Sequence, residues 1–494
     1  MMRVGGLASG MDIDQIVKQL MSAERIPLNK MQQDRTMLEW QRDGFRDINK
    51  KLSELDNMML DMKLSHTYNS KIAASSQEGA VSATATTSAF DGTYNINVTQ
   101  LASSAMYVSE SFDDEFDPNK SLNSQGFDIE SEDFKFYTYD EGGEDNEHKY
   151  SVSGDDTLND VLRQINSDDN NVRAFYDEGL QQVIMETTRT GIYNNTDGEG
   201  EIVFDEENSF FSDVLQLKQE RSAENAAFQY NGLSMTSKTN SYNLNGINFQ
   251  FTNVTEGDAA ITVVNDTEDS FDKIMAFVDK YNEVVEALNE SQREERHRDY
   301  PPLTDEQKEE MTENEIELWE EQAKSGILKG ETVISSGLFN MRQSWYSAVD
   351  TGDEFTSLTQ IGINTSPDYM DGGRLVVDED KLRESLQQNP DAVQKLFSNS
   401  EDGEGRGLVN RLEDAIDNTM SQIGNRAGNS NSPSLDNYTL GQRMKDLNDR
   451  ISAFEQRLVQ IETRYWNQFT AMESAISRMN QQSAQLMSQF GEGM

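Results

Sequence analysis

Apolar residues fall into two long periodic blocks at the chain ends, with alternating, strand-like patterns between them. In the opening MMRVGGLASGMDIDQIVKQLMSAERIPLNK, Ile13, Ile16, Val17, Leu20 and Met21 recur at helical spacing. Asp12 is placed to cap this helix, with Gln15 reaching back to it. A helix so short is marginal alone in water, so something must cover its stripe. After Pro27, suited to a helix start, Met31, Leu38, Phe45, Leu52 and Met59 repeat every seven residues. Ile48, Leu55 and Met62 fill the second seam position, while Asp34 and Gln41 weaken the early heptads. This register predicts a coiled coil to about residue 63; one long helix of an ordinary bundle is the alternative.

The last block mirrors the first. Leu440, Met444, Leu447, Ile451, Phe454, Leu458, Ile461 and Tyr465 alternate four and three apart. Phe469, Met472, Ile476 and Met479 continue the series towards Leu486 and Phe490, with a stutter at Tyr465–Phe469. Folding the two ends together into one stem is the economical way to bury both seams, which gain ~1.5–3 kcal/mol per covered side chain. The opening helix is then covered by the C-terminal helix, by neighbouring subunits, or by both.

Between the ends the period shifts to two. In GTYNINVTQ, Tyr94, Ile96 and Val98 point one way and Asn95, Asn97 and Thr99 the other, after an Asp91-Gly92 turn. Short strands with acidic turns continue through residues 127–154. A small helix follows, capped near Asp155–Thr157, with Leu158, Val161, Leu162 and Ile165 on one face. A hairpin is predicted around Glu178-Gly179 and another around Asn245-Gly246. Helical periodicity returns in Phe271, Ile274, Phe277, Val278, Tyr281, Val284, Val285 and Leu288. A charged helix follows Pro301-Pro302, and two more helical units lie near Val333–Val349 and Lys381–Phe397. SNSEDGEGRG and GNRAGNSNSPSLDN read as exposed connectors.

The predicted class is α+β: a coiled-coil or helical stem from both termini, with β-rich head domains inserted between them. Residues 1–70 pair with 435–494 as the stem. Residues 71–106 and 230–270 make an inner β-rich head, 107–229 an outer head, and 271–434 a helical domain next to the stem.

Composition narrows the function. The 494 residues carry 89 Asp+Glu against 42 Lys+Arg, a formal charge of −47, which argues against a nucleic-acid partner. So acidic a surface suits a saline or alkaline medium. Cys is 0, which removes disulfides, thiolate metal sites and cysteine nucleophiles. The N-terminal stripe is too interrupted for a secretory signal, and no run of about 20 apolar residues exists to insert into a membrane.

Candidate chemistry is sparse. His66, His148 and His297 are far apart in polar surroundings and read as solvated surface residues. Asn195, Asp197, Glu199, Gly200 and Glu206, with Ile202, match the spacing of a calcium loop, but the flanks read as β; an acidic exposed turn is the alternative. No cofactor is implied. The residues expected to carry self-association lie in the stem: Ile13, Ile16, Val17, Leu20, Leu38, Phe45 and Leu52 in the first block. Leu447, Ile451, Phe454, Leu458, Ile461, Tyr465, Phe469, Met472 and Ile476 complete the set in the second.

Several stretches resemble one family, the bacterial flagellar filament cap or flagellar hook-associated protein 2. GLASGMDIDQIVKQLMSAERIPLNKM looks like its N-terminal signature and GTYNINVTQLASS like its second block. TLNDVLRQINSDDNNVRAFYDEGLQQVIMETTRTG resembles the repeat shared by flagellins and hook proteins. DYPPLTDEQKEEM, LTQIGINT, GRLVVDEDKLRESL and DLNDRISAFEQRLVQIETRYWNQFTAME resemble its C-terminal region. The resemblance implies a secreted protein at the filament tip, a homo-oligomeric ring, pentameric in the family, with heads as a plate and stems as legs. Its implied partners are flagellin, the junction hook-associated proteins and a flagellar export chaperone, with adhesion a further role in some members. A filament or junction subunit would share the paired terminal helices. A glycan-binding or glycan-hydrolysing head on a coiled-coil stalk is the alternative from another class, and it needs a cleft with perturbed carboxylates.

Overall fold

In the computed structural model, which describes residues 10–113, 115–130, 132–196, 199–204, 210–429 and 434–491, a single 50-residue helix, Ile13–Met62, opens the chain. Pro27 lies inside it and not at a new start, which corrects the expectation of two helices. A mid-helix proline normally costs ~3 kcal/mol through its missing N–H and its ring. Here the ring faces solvent, and buried Met21 and Leu28 hold the register across it. Contacts divide the chain into a helical unit, Met1–Tyr68 with Glu268–Met494, and a β-rich unit, Asn69–Thr267.

The helical unit is built on a bundle. Phe45, Ile48, Leu52, Leu55, Met59 and Met62 sit in one core with Tyr281, Trp345, Leu412 and Ile416. Those residues belong to helices Thr267–Arg293, Thr332–Tyr346 and Leu408–Ala427. The heptads after Phe45 therefore serve a bundle, and the coiled-coil expectation for that half is corrected. A stripe of seven-spaced residues shows that a helix has one apolar face, not which element covers it.

Three other helical expectations change. Leu408–Ala427, to which no element is assigned above, forms a helix burying Leu408, Leu412, Ile416 and Ile423. The charged segment after Pro302 splits into Asp305–Glu309 and Glu313–Lys324, because Thr304 and Thr312 each form a complete capping box, with Gln307 and Glu315. The segment near 381–397 also splits, into Glu379–Gln388 and Pro390–Ser398, where Asn389 caps and Pro390 restarts the helix. The final helix, Thr439–Gly491, runs 53 residues.

The β-rich unit holds two cores. The inner one lies between two antiparallel sheets. One has the order Lys71–Ser75, Ala259–Asn265, Gly92–Gln100, Ala226–Tyr230, Leu233–Ser237, and the other Ser241–Leu244, Ile247–Phe251, Val81–Ala85. Ile96, Val98, Phe228 and Ile261 of the first meet Phe249 and Phe251 of the second. Ala226–Tyr230 thus joins the inner sheet although it precedes the expected boundary at 230. The hairpin turn at Asn245 (φ 49°) and Gly246 (φ 78°) has both residues left-handed, the conformation that Asn-Gly accepts most readily. The outer core packs the Leu158–Ser167 helix with two further antiparallel sheets. Thr157 caps that helix in a box with Asp160. Phe134, Phe136, Phe210 and Phe211 fill this core.

Candidate functional site: a two-helix stem

The stem begins with a capped end. Asp12 Oδ1 accepts from the Gln15 backbone N–H at 3.0 Å, satisfying a donor that a helix start leaves free. From there Ile13, Val17, Met21 and Leu28 bury one face against Leu447, Ile451, Leu458 and Ile461 of the C-terminal helix. Met31, Leu38, Phe454, Tyr465, Trp466 and Phe469 pack around that cluster, partly buried.

Two contacts fix the direction. The Tyr465 hydroxyl donates to Glu24 Oε1 at 2.9 Å, and the Arg46 guanidinium lies 5.7 Å from the Tyr438 ring centre. The N-terminal helix descends as the C-terminal helix rises, so the pair is antiparallel.

The expected stem residues separate into groups. Ile13, Val17, Leu447, Ile451, Leu458 and Ile461 are buried in the seam, with Leu38, Phe454, Tyr465 and Phe469 at its flank. Ile16 is half-buried and Leu20 is 37% exposed, so the buried stripe is centred on Ile13, Val17 and Met21, with Ile16 and Leu20 at its edge. Spacing of four, four and seven from Ile13 to Leu28 selects one edge of a stripe broader than one partner helix covers. Phe45 and Leu52 belong to the bundle core instead. Met472 and Ile476 are half-buried, and the side chain of Phe490 lies outside the described residues. Leu28 and Trp466 are seam residues the periodicity did not single out, although Leu28 stands seven residues after Met21.

Charge is partitioned sharply. The stem segments 10–44 and 439–491 carry 11 acidic and 11 basic side chains, whereas residues 105–222 carry 30 acidic and 8 basic. The stem is electrically neutral in a chain of −47.

Among the described residues, one constellation tests the catalytic alternative. His148 Nε2 lies 2.8 Å from Thr138 Oγ1, and His148 Nδ1 lies 3.7 Å from Asp168 Oδ2. The His148 side chain is 11% exposed, which corrects its reading as a solvated residue. Burial lowers its pKa, against the opposing pull of Asp168. A nucleophilic threonine would hand its proton to the imidazole. Thr138 instead donates to the Asn170 carbonyl at 3.1 Å and is itself only 2% exposed. Tyr150 donates to Asp168 at 2.9 Å and accepts from Asn170 Nδ2 at 2.7 Å, completing a satisfied structural network. Of the calcium-loop residues, Asp197 and Glu206 lie outside the described residues. Asn195 donates to the Gly142 carbonyl, and the buried carboxylate nearby is Glu201, which accepts from the N–H groups of Tyr193 and Asn194. Among the described residues no group of three acidic or histidine side chains is arranged to hold a metal. No described helix is long and apolar enough to cross a membrane.

Two family patterns match the chain: Flagellar hook-associated protein 2 N-terminus over residues 9–105, and Flagellar hook-associated protein 2 C-terminus over 223–481. A flagellar hook-associated protein 2 from Halalkalibacterium halodurans is 37% identical, covering 99% of this chain and 100% of its own. The chain belongs to the flagellar hook-associated protein 2 family. An A-type member from Pseudomonas aeruginosa is 26% identical over 98% of this chain and 96% of its own. The fold is that of the flagellar cap protein D1-D2-D3 domains from Escherichia coli, at TM-score 0.58 and 17% identity, covering 82% of this chain and 99% of that one. Residues 106–222, between the two matched patterns, hold the acidic outer core.

Proposed function

We infer that this chain is the structural cap at the distal end of the bacterial flagellar filament, beneath which exported flagellin folds and inserts. The observation that carries this is the full-length identity of 37% to a flagellar hook-associated protein 2, at 100% coverage of that relative. The antiparallel stem supports it, since long paired termini suit legs that stand on a filament. In this role the chain works as a ring-forming homo-oligomer, pentameric by resemblance, outside the cell. Its partners are flagellin, the junction hook-associated proteins and an export chaperone, and it has no catalytic step. The Thr138–His148–Asp168 network gives no support to a glycan-hydrolysing head, and the relatives' names give none to adhesion.

The test is complementation of a motile host lacking its own cap. The wild-type chain should restore filaments. A Val17→Asp variant should be exported yet leave filaments short or absent, with flagellin monomers lost to the medium. Full motility with Val17→Asp would overturn the role given to the stem.

A further inference from the structure

The C-terminal helix is longer than its partner. Counting outward from the Tyr465–Glu24 pair, Ile13 lies opposite Ile476, where the described N-terminal helix begins. Beyond it the seam continues in the same register through Met479, Ser483 and Leu486. Met479 is 67% exposed, Leu486 55% and Met487 76%. From Ser474 to Gly491 there is no acidic residue and a single basic one, Arg478.

The same stem offers a complementary groove of about 300 Å³ between its two helices, floored by Val17, Met21 and Trp466. The Arg25–Glu306 ion pair, at 3.5 Å, stands at its margin. Asp14, Lys18 and Glu462 are on its rim, the two carboxylates opposite in charge to Arg478.

We propose that the helix end 477–491 of one copy, whose single charge is Arg478, docks in this groove of a second copy, with Met479 and Leu486 as anchors. The proposal rests on the oligomeric cap reading and names the surface that makes the oligomer. A chain cannot fill its own groove. The helix from Trp466 to Ser477 is continuous and rises about 1.5 Å per residue, which carries the end away from its own Val17. The end and the groove are different surfaces, so the contact is heterologous, the type that generates rings when its rotation closes. Methionine suits such a groove, because its unbranched thioether adapts to irregular apolar space. Electrostatics favours the site as well, since copies of net charge −47 can meet through neutral stems.

Because the natural chain has Cys 0, disulfide trapping has no background. Full-length Ser22→Cys and Ser483→Cys copies are prepared separately, mixed under oxidising conditions, and their oligomeric state is measured by mass photometry. The expected result is a cross-linked species in the mixture and in neither copy alone. Adding Met479→Asp and Leu486→Asp to the second copy should reduce that species by at least about tenfold. Cross-linking of Ser483→Cys with itself would overturn the proposal in favour of end-to-end pairing. Persistent oligomers without a cross-link would overturn it while leaving the cap reading intact. A wild-type chain that stays monomeric at all concentrations would overturn both the docking and the self-assembling cap.

Discussion

Tyr465 and Glu24 stand 441 positions apart in sequence and share a 2.9 Å hydrogen bond across the stem. That bond sets which residues oppose each other, and it places Val17 and Ile461 in the dry seam while leaving Leu20 at its edge. The stability of the stem should therefore be graded by position along one helix face.

Val17→Asp or Ile461→Asp puts an unpaired charge among apolar neighbours that are themselves buried, a change that costs several kcal/mol. The helix ends should become sensitive to limited proteolysis between residues 10 and 40 while the β-rich unit stays resistant. Leu20→Asp should be much milder, because its side chain already meets water. Equal protease sensitivity of all three variants would contradict the seam as assigned.

Asp56 gives a prediction inside the bundle. Burial, followed by the charges of Asp417 and Glu413, raises its pKa above 3.8, and Lys63 only partly offsets this. A raised acid favours the fold below 3.8 and loses that contribution as pH rises through its folded pKa. At neutral pH the ionised Asp56 is therefore a liability. Asp56→Asn should raise the thermal midpoint by about 1–2 °C at pH 7 and should bring no gain near pH 3. Calorimetry at the two pH values checks both halves, and a lower midpoint at pH 7 would show that the carboxylate is stabilising.

Much of this architecture was legible from local rules. Ile96 and Val98 alternate with polar neighbours, Asn245-Gly246 accepts two left-handed residues, and Leu158 to Ile165 follows a threonine cap. Each is decided within a few residues. What was hidden depended on partners distant in sequence. Phe45 and Leu52 look like continued heptads, but the bundle helices that cover them come more than 200 residues later. The Leu408–Ala427 helix was masked by flanking Gly and Asn, although its end at Gly428 (φ 68°) marks a helix stop. His148 gave no sign of burial, because Thr138 reaches it diagonally across a hairpin in which Phe136 is its direct neighbour, and Asp168 arrives only after the next helix.

That buried network makes the β-rich unit respond to mild acid. His148 has a pKa below 6.5 in the fold because burial disfavours its charged form, with Asp168 and Asp169 opposing the shift. The unfolded chain then takes up a proton more readily as pH drops below 6.5. Stability from this residue is complete above that value and is lost as pH falls through the folded pKa. Denaturant unfolding of residues 69–267 followed between pH 5 and 8 should show a midpoint that rises and then levels off. His148→Gln should flatten this curve while keeping a hydrogen-bond donor near Thr138. An unchanged curve in the variant would move the pH dependence to another group.

The partition of charge predicts how assembly responds to salt. Stems with 11 charges of each sign have little net repulsion to screen, but residues 105–222, at 30 acidic to 8 basic, repel their copies strongly when several are brought together. The Debye length falls from about 30 Å at 0.01 M to about 8 Å at physiological ionic strength, so the repulsion between outer cores fades over that range. The apolar seam does not weaken under the same change. Self-association should therefore strengthen as salt rises from low to physiological concentration, and a chain lacking residues 107–221 should assemble with far less salt dependence. Sedimentation velocity on both chains across that range separates the terms. If the whole chain dissociates steadily as salt is added, ion pairs between copies hold the assembly, and the neutral stem is not its main contact.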